Sequence, residues 1–160
     1  MEKQKKELTR TAYFVRFGSV IAVVALIAFV HFGVVIPTTP SIKYHMLVES
    51  SGKPAKGDYV DVEVFHAKID ADRAVTLTKR VACVAGEVLK FENGRHYCDG
   101  QYLGSVLKRT STGLPLNAFD YNGPVPDGKA FLVGDHERSF DSRYFGFVNV
   151  DAMTRLTPIF

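Results

Sequence analysis

A mainly β domain carried on one N-terminal membrane-spanning helix is the fold the sequence predicts. Three observations predict it: a long uncharged apolar run near the start, two stretches that alternate apolar and polar residues, and a hairpin-type Asn-Gly turn. A chain of 160 residues has room for one ordinary domain beside such a helix.

The apolar run is FGSVIAVVALIAFVHFGVVI, Phe17 to Ile36, with no formally charged side chain while His31 is neutral. As a helix it is about 30 Å long, which matches the hydrocarbon thickness of a bilayer. A cleaved signal peptide is the alternative, but the run exceeds the usual ~7–15 apolar residues and no small-x-small site follows. Lys3, Lys5, Lys6, Arg10 and Arg16 precede it against Glu2 and Glu7, which keeps the N-terminus in the cytoplasm. The expected organisation is a cytoplasmic tail over 1–16, an anchor over 17–36 and an exported domain over 37–160. Of the 20 basic and 17 acidic residues, five and two lie in the tail, so 15 of each remain beyond the membrane. The net charge of +3 is thus a topology signal and not a nucleic-acid footprint.

Pro37 and Pro40 stop the helix and leave Ser41 on a short polar segment close to the outer membrane surface. After a loop rich in Ser, Gly, Lys and Pro (Ser50 to Asp58), YVDVEVF (Tyr59 to Phe65) alternates as a half-buried strand does. AVTLTKRVACV (Ala74 to Val84) alternates too, with Val75, Leu77, Lys79, Val81 and Cys83 on one face. Asn93-Gly94 between VLKFE and RHYC signals a tight hairpin, and Asp99-Gly100 a second turn before QYLG. Residues 104–128 read as a long connection, KAFLV as a short strand, and RYFGFVNV as another. Cys83 and Cys98 both fall in the exported part, where a disulfide is allowed; two buried thiols are the alternative. No CxxC or His pair at ligand spacing suggests a metal.

Lys79 is the most informative position. A lysine directed at an apolar sheet face must find a partner or lose its charge. Desolvation that favours the neutral amine costs the ammonium about 1.4 kcal/mol per pKa unit, and a neutral amine can deprotonate a serine without any histidine. The alternative is that the ammonium reaches solvent or pairs with Asp61 or Glu63. His31, His45, His66, His96 and His136 belong to no nucleophile elbow or triad signature and read as incidental.

Three segments in order resemble the motif boxes of the signal peptidase I superfamily, peptidase family S26, and especially its conjugative-transfer branch of TraF/TrhF-type serine peptidases. They are the apolar run followed by TTPSI, then TKRVACVAGE, then GDHERSFDSRYFGFV, within which SxDSRYxG is highly specific. Gly57-Asp58 adds a weaker match, and with the closing LTPIF the resemblance spans nearly the whole exported domain. It implies a signal-peptidase-like β domain with Ser41 as nucleophile and Lys79 as general base. It also implies that Thr39 helps hold the oxyanion, that Ser139 hydrogen-bonds and orients the lysine amine, and that Asp141, Ser142 and Arg143 brace the site. The sequence departs from the family pattern after the nucleophile, where Ile42 to Met46 replace the usual Met or Pro-x-Gly-x-Tyr run, and no large second β domain fits.

The function so implied is a Ser-Lys endopeptidase of the bacterial inner membrane, single-pass, with its catalytic domain in the periplasm. Its expected substrate is an exported precursor, foremost a conjugative pilin, matured and in one outcome cyclised head to tail, with a conjugative transfer apparatus as partner. A small general signal peptidase and an inactive structural subunit of a secretion channel are the rivals. No cofactor, metal or nucleic acid is expected.

Overall fold

The computed structural model describes residues 2–31, 33–66, 70–110 and 112–160, apart from the side chains of residues 2–12, 28, 30, 31, 70 and 71. The chain separates into two compact units, residues 1–34 and 35–160.

The first unit is one helix, α1 (Glu2–His31). It begins well before the expected apolar segment and ends at His31, not Ile36. Gly33 takes the left-handed conformation (φ 54°) that commonly closes a helix, and Val34 and Val35 enter a strand. Among the described residues no helix is long and apolar enough to cross a membrane. The described apolar side chains of α1, among them Phe17, Ile21, Val24, Leu26 and Ile27, are all exposed.

After α1 the described residues hold eleven strands and one short α-helix, with a 3-10 turn at Val150–Ala152, in the order β1 (Val34–Val35), β2 (Leu47–Glu49), β3 (Tyr59–His66), β4 (Asp70–Val84), β5 (Val88–Glu92), β6 (Arg95–Cys98), β7 (Gln101–Ser105), β8 (Gly123–Pro124), β9 (Lys129–Val133), α2 (Ser142–Phe145), β10 (Val148–Asn149) and β11 (Met153–Pro158). They form a seven-stranded sheet, β1-β2-β11-β3-β4-β9-β10, and a four-stranded sheet, β7-β6-β5-β8. The mainly β expectation holds. The β5–β6 hairpin turns on Asn93 and Gly94, both at positive φ (51° and 74°), the pairing a type I′ turn requires.

One expected strand is different. RYFGFVNV begins as the helical turn α2 and becomes strand only at Val148. Asp141, extended at φ −154°, caps that turn by accepting from the Arg143 amide, and Ser142, Arg143 and Tyr144 are buried. A run of aromatic residues reads as strand by composition, but the cap and the burial of consecutive residues favour a turn of helix.

Strand β9 explains how the large sheet is covered. Ala130 and Leu132 enter one apolar cluster with Val60, Val62 and Val81, whereas Phe131 and Val133 enter another with Leu89, Cys98 and Val125. Alternation thus serves two cores. The register of β4 against β9 shifts between Val81 and Cys83, which lets the neighbouring residues Ala82 and Cys83 both be buried in the second cluster. There a disulfide joins Cys83 of β4 to Cys98 of β6 and ties the two sheets together.

Candidate active site

The segment after Pro37 is irregular, yet it is held on two sides. Ile42 is buried with Leu47, Tyr59 and Leu156 in a third apolar cluster. The Ser41 carbonyl accepts hydrogen bonds from the backbone amides of Asp135 (2.8 Å) and His136 (3.3 Å). Ser41 is thereby fixed to the loop that follows β9, and its hydroxyl lies 2.9 Å from the Thr39 hydroxyl.

Lys79 comes from β4, opposite Val60 of β3, and is only 2% exposed. Burial pushes its pKa below the ordinary lysine value, against the opposing pull of the Asp141 and Asp61 carboxylates and with some help from Arg143. Neither carboxylate of the alternative pairing closes an ion pair with it. Asp61 accepts from the Thr78 hydroxyl at 2.6 Å, and the lysine amine donates to the Thr78 carbonyl at 3.0 Å. The sheet thus presents an amine that gives up its proton more readily than an ordinary lysine.

Ser41 and Lys79 line one cleft of about 330 Å³, together with Thr39, Leu77, Ser139 and Phe140. Among the described residues the two do not hydrogen-bond to each other. Proton transfer between them requires the amine to leave the Thr78 carbonyl and turn to the serine, an adjustment commonly completed only with substrate bound. An amine of lowered pKa and an alcohol in one partly apolar cleft are the elements of base-assisted nucleophilic attack.

Ser139 is buried, and among the described residues its hydroxyl has no hydrogen-bond partner, so the bond to the lysine amine implied by the resemblance is not made here. Its position is nonetheless tightly set. A Cβ added to Gly134 would fall on the Ser139 side chain and 2.8 Å from the Ser41 carbonyl oxygen, so only glycine fits between them.

Beneath the cleft lies a buried ion pair. Arg143 donates to Asp141 through Nε (2.8 Å) and Nη2 (2.7 Å), in fork-to-fork geometry. Its remaining donors reach the carbonyls of Ser105 (2.8 Å), Ser139 (3.1 Å) and Glu137 (3.3 Å). Asp141 accepts from the Gly134 amide at 2.9 Å, and Ser142 accepts from the Leu132 amide at 2.9 Å. Burial lowers the guanidinium pKa, but the Asp141 hydrogen bonds and charge outweigh it and leave the group firmly protonated.

Residues 139–143 therefore hold the loop that carries Gly134, and that loop holds Ser41. Asp135, which sequence reasoning did not single out as a site residue, extends this brace. Its carboxylate accepts from the Tyr59 hydroxyl (2.7 Å) and the Lys43 amide (3.1 Å), and pairs with Arg80 (3.2 Å). Burial raises its pKa, yet these partners lower it below the usual range on balance. The signal for it was the Gly-Asp pair at the end of KAFLV.

Glu87 stands beside the Cys83–Cys98 disulfide, 3.3 Å from the Cys98 sulfur. A disulfide sulfur has no proton to donate and no thiolate to offer, so the carboxylate is held instead by Lys56 (2.5 Å) and the Val84 amide (2.9 Å). His96 is buried between Phe91 and Phe131, with Nε2 2.8 Å from the Phe119 carbonyl, and burial lowers its pKa. It is a core residue outside the cleft.

The family model described as signal peptidase, peptidase S26, matches residues 8–157. Signal peptidase I V of Bacillus subtilis (strain 168) is 36% identical over 81 residues, 44% of this chain and 48% of that protein. Signal peptidase I of Bacillus caldolyticus is 31% identical over 102 residues, 57% of this chain and 54% of that protein. The chain thus spans about half the length of the curated relatives it matches. A crystal structure of a signal peptidase I from Enterococcus faecalis V583 shares 27% identity over 68% of this chain and 100% of that one, with a TM-score of 0.44. A family match over almost the whole chain decides the matter: the protein belongs to the signal peptidase family, peptidase S26.

Proposed function

We propose that this protein is a membrane-tethered serine endopeptidase in which Ser41 attacks a peptide carbonyl and Lys79 takes and returns the proton. The observation that carries the reading is the amine of Lys79, 2% exposed and with its pKa lowered by burial, on the same cleft as the Ser41 hydroxyl. Attack transfers the hydroxyl proton to the amine and forms a tetrahedral oxyanion. Thr39, 2.9 Å from Ser41 Oγ, and the Ser41 amide are the candidate donors to it. Collapse expels the leaving amine, which takes the proton back from Lys79 and leaves an acyl-enzyme.

The substrate is an exported precursor cut on the outer side of the membrane, and the anchor is the uncharged part of α1 from Phe17 to its end at His31, with five basic residues before it. The apolar surface exposed along α1 supports a lipid environment. Within the family, the resemblance of the motif segments to the conjugative-transfer branch suggests periplasmic maturation of a pilin as the task. If the acyl group meets the substrate's own N-terminal amine before water does, the product is a cyclic peptide, an outcome that positioning alone can favour. Removal of signal peptides, the activity in the names of the Bacillus relatives, is the second reading.

Co-expression of the full chain with a candidate precursor, followed by intact mass spectrometry, separates these outcomes. A processed product lighter by one water signals cyclisation, and the linear mass signals hydrolysis. Ser41→Ala abolishes both. Normal processing by that variant refutes the nucleophile assignment.

A further inference from the structure

The charges around the cleft are not balanced. Arg138 lines it with Ser41 and Lys79, is exposed, and among the described residues its guanidinium has no hydrogen-bond or ion-pair partner. The neighbouring acids are committed elsewhere. Asp135 is held by Tyr59, Arg80 and the Lys43 amide, and Asp141 by Arg143. Glu137, next in sequence, lines a separate cavity of about 250 Å³ that Arg138 does not line. Among the described residues no acidic one lines the cleft of Ser41, whose other walls include Pro40, Leu77, Phe140 and the His136 ring. A peptide lying there meets the exposed guanidinium of Arg138 beside the His136 ring, with the Lys79 amine buried on the same cleft and no carboxylate to offset them.

From this geometry we infer that Arg138 is a specificity residue, and that the cleft selects peptides carrying an Asp or Glu side chain near the scissile bond. The inference rests on the peptidase reading and adds a substrate class to it. The position of that acid is constrained as well. A carboxylate within about 4–6 Å of the Lys79 amine would favour the ammonium and disable the base, so the selected acid must sit at the Arg138 end of the cleft. The preference therefore belongs to one position in the substrate and is not a general attraction to negative charge.

The test uses the full-length protein in detergent and a fluorogenic peptide with a small-x-small cleavage site. Asp, Asn and Lys are placed in turn at each position on either side of that site. At low salt the expected result is an Asp-over-Asn ratio in kcat/KM of about fivefold at one position, the upper range for a solvent-accessible ion pair. The ratio shrinks as salt shortens the screening length. In Arg138→Gln it falls to unity, and in Arg138→Glu the same position prefers Lys. Equal rates for Asp and Asn at every position overturn the inference while leaving the peptidase reading intact. So does an Asp preference that persists in Arg138→Glu. Cleavage of every peptide no faster by the wild type than by Ser41→Ala is the distinct result that refutes the peptidase reading.

Discussion

Gly134→Ala is the sharpest test of how the site is assembled. The substitution adds one methyl group, and that methyl would land on the Ser139 side chain and 2.8 Å from the Ser41 carbonyl oxygen. Gly134 is not among the glycines at positive φ, so the penalty is one of space and not of backbone conformation. Overpacking of this kind costs about 1–3 kcal/mol. Relief requires the 134–136 loop to move away from Ser41, or Ser139 to move out of the cleft wall. Either movement loosens the amides of Asp135 and His136 from the Ser41 carbonyl. A displacement near 1 Å of a reacting group costs roughly a hundredfold in rate.

Denaturant melts of Gly134→Ala, Ser139→Gly and the double variant, run beside turnover of a peptide substrate, measure both effects. Ser139→Gly removes both the Oγ and the Cβ that the new methyl would strike. The double variant should therefore be more stable than the sum of the single effects, by about 1–2 kcal/mol of coupling. Turnover should recover only in part, because the Ser41 carbonyl remains in the way. Strict additivity, or a fully active Gly134→Ala enzyme, refutes the argument that this glycine sets the spacing of the site.

Asp141→Asn leaves Arg143 buried with its charge uncompensated, and chemical denaturation should register a loss of about 3–5 kcal/mol. Lys79→Met removes an amine whose charged form is disfavoured by burial. Thermal melts at neutral pH should show a more stable protein while peptide cleavage disappears, and a stability loss contradicts the buried-amine account. The sign of the pH effect follows from the same shift. Since burial places the folded pKa of Lys79 below the unfolded value of 10.5, the unfolded chain binds more protons between the two. The Lys79 contribution to stability should therefore rise with pH across that window and fall as pH drops through the folded pKa. Peptidase activity should likewise appear as pH rises through an ionisation below that of an ordinary lysine. Reduction of Cys83–Cys98 opens a loop of 15-residue separation and should lower stability by about 3 kcal/mol, read from melts with and without reductant.

The sequence carried the parts of the site that obey a period or a turn rule. Alternation through Ala74–Val84 put Lys79 on an apolar face with Leu77 and Val81, and the structure buries it there, but the register shift after Val81 turns Cys83, expected on that same face, into the other core. Asn93-Gly94 likewise marked its hairpin from the φ demand of the turn alone. The parts that escaped depend on where distant segments meet. That Gly134 must lack a side chain is a fact about Ser139 and the Ser41 carbonyl, and no local pattern records it. Asp135 joins Tyr59 of β3, Arg80 of β4 and the Lys43 amide, three partners that only the finished sheet brings together. The helical turn at Ser142–Phe145 was hidden for a related reason. Its aromatic composition suits a strand, whereas its conformation is set by Asp141, which at once caps the turn, pairs with Arg143 and accepts from the Gly134 amide. One buried carboxylate thus fixes a helix start, a guanidinium and the loop behind Ser41. A charged pair costs several kcal/mol per ion to desolvate, so it stays buried only because these hydrogen bonds together offset that cost. The brace therefore has to be complete to exist at all, and alternation of apolar and polar residues, which ranks positions by burial, cannot recognise a brace made of buried charge.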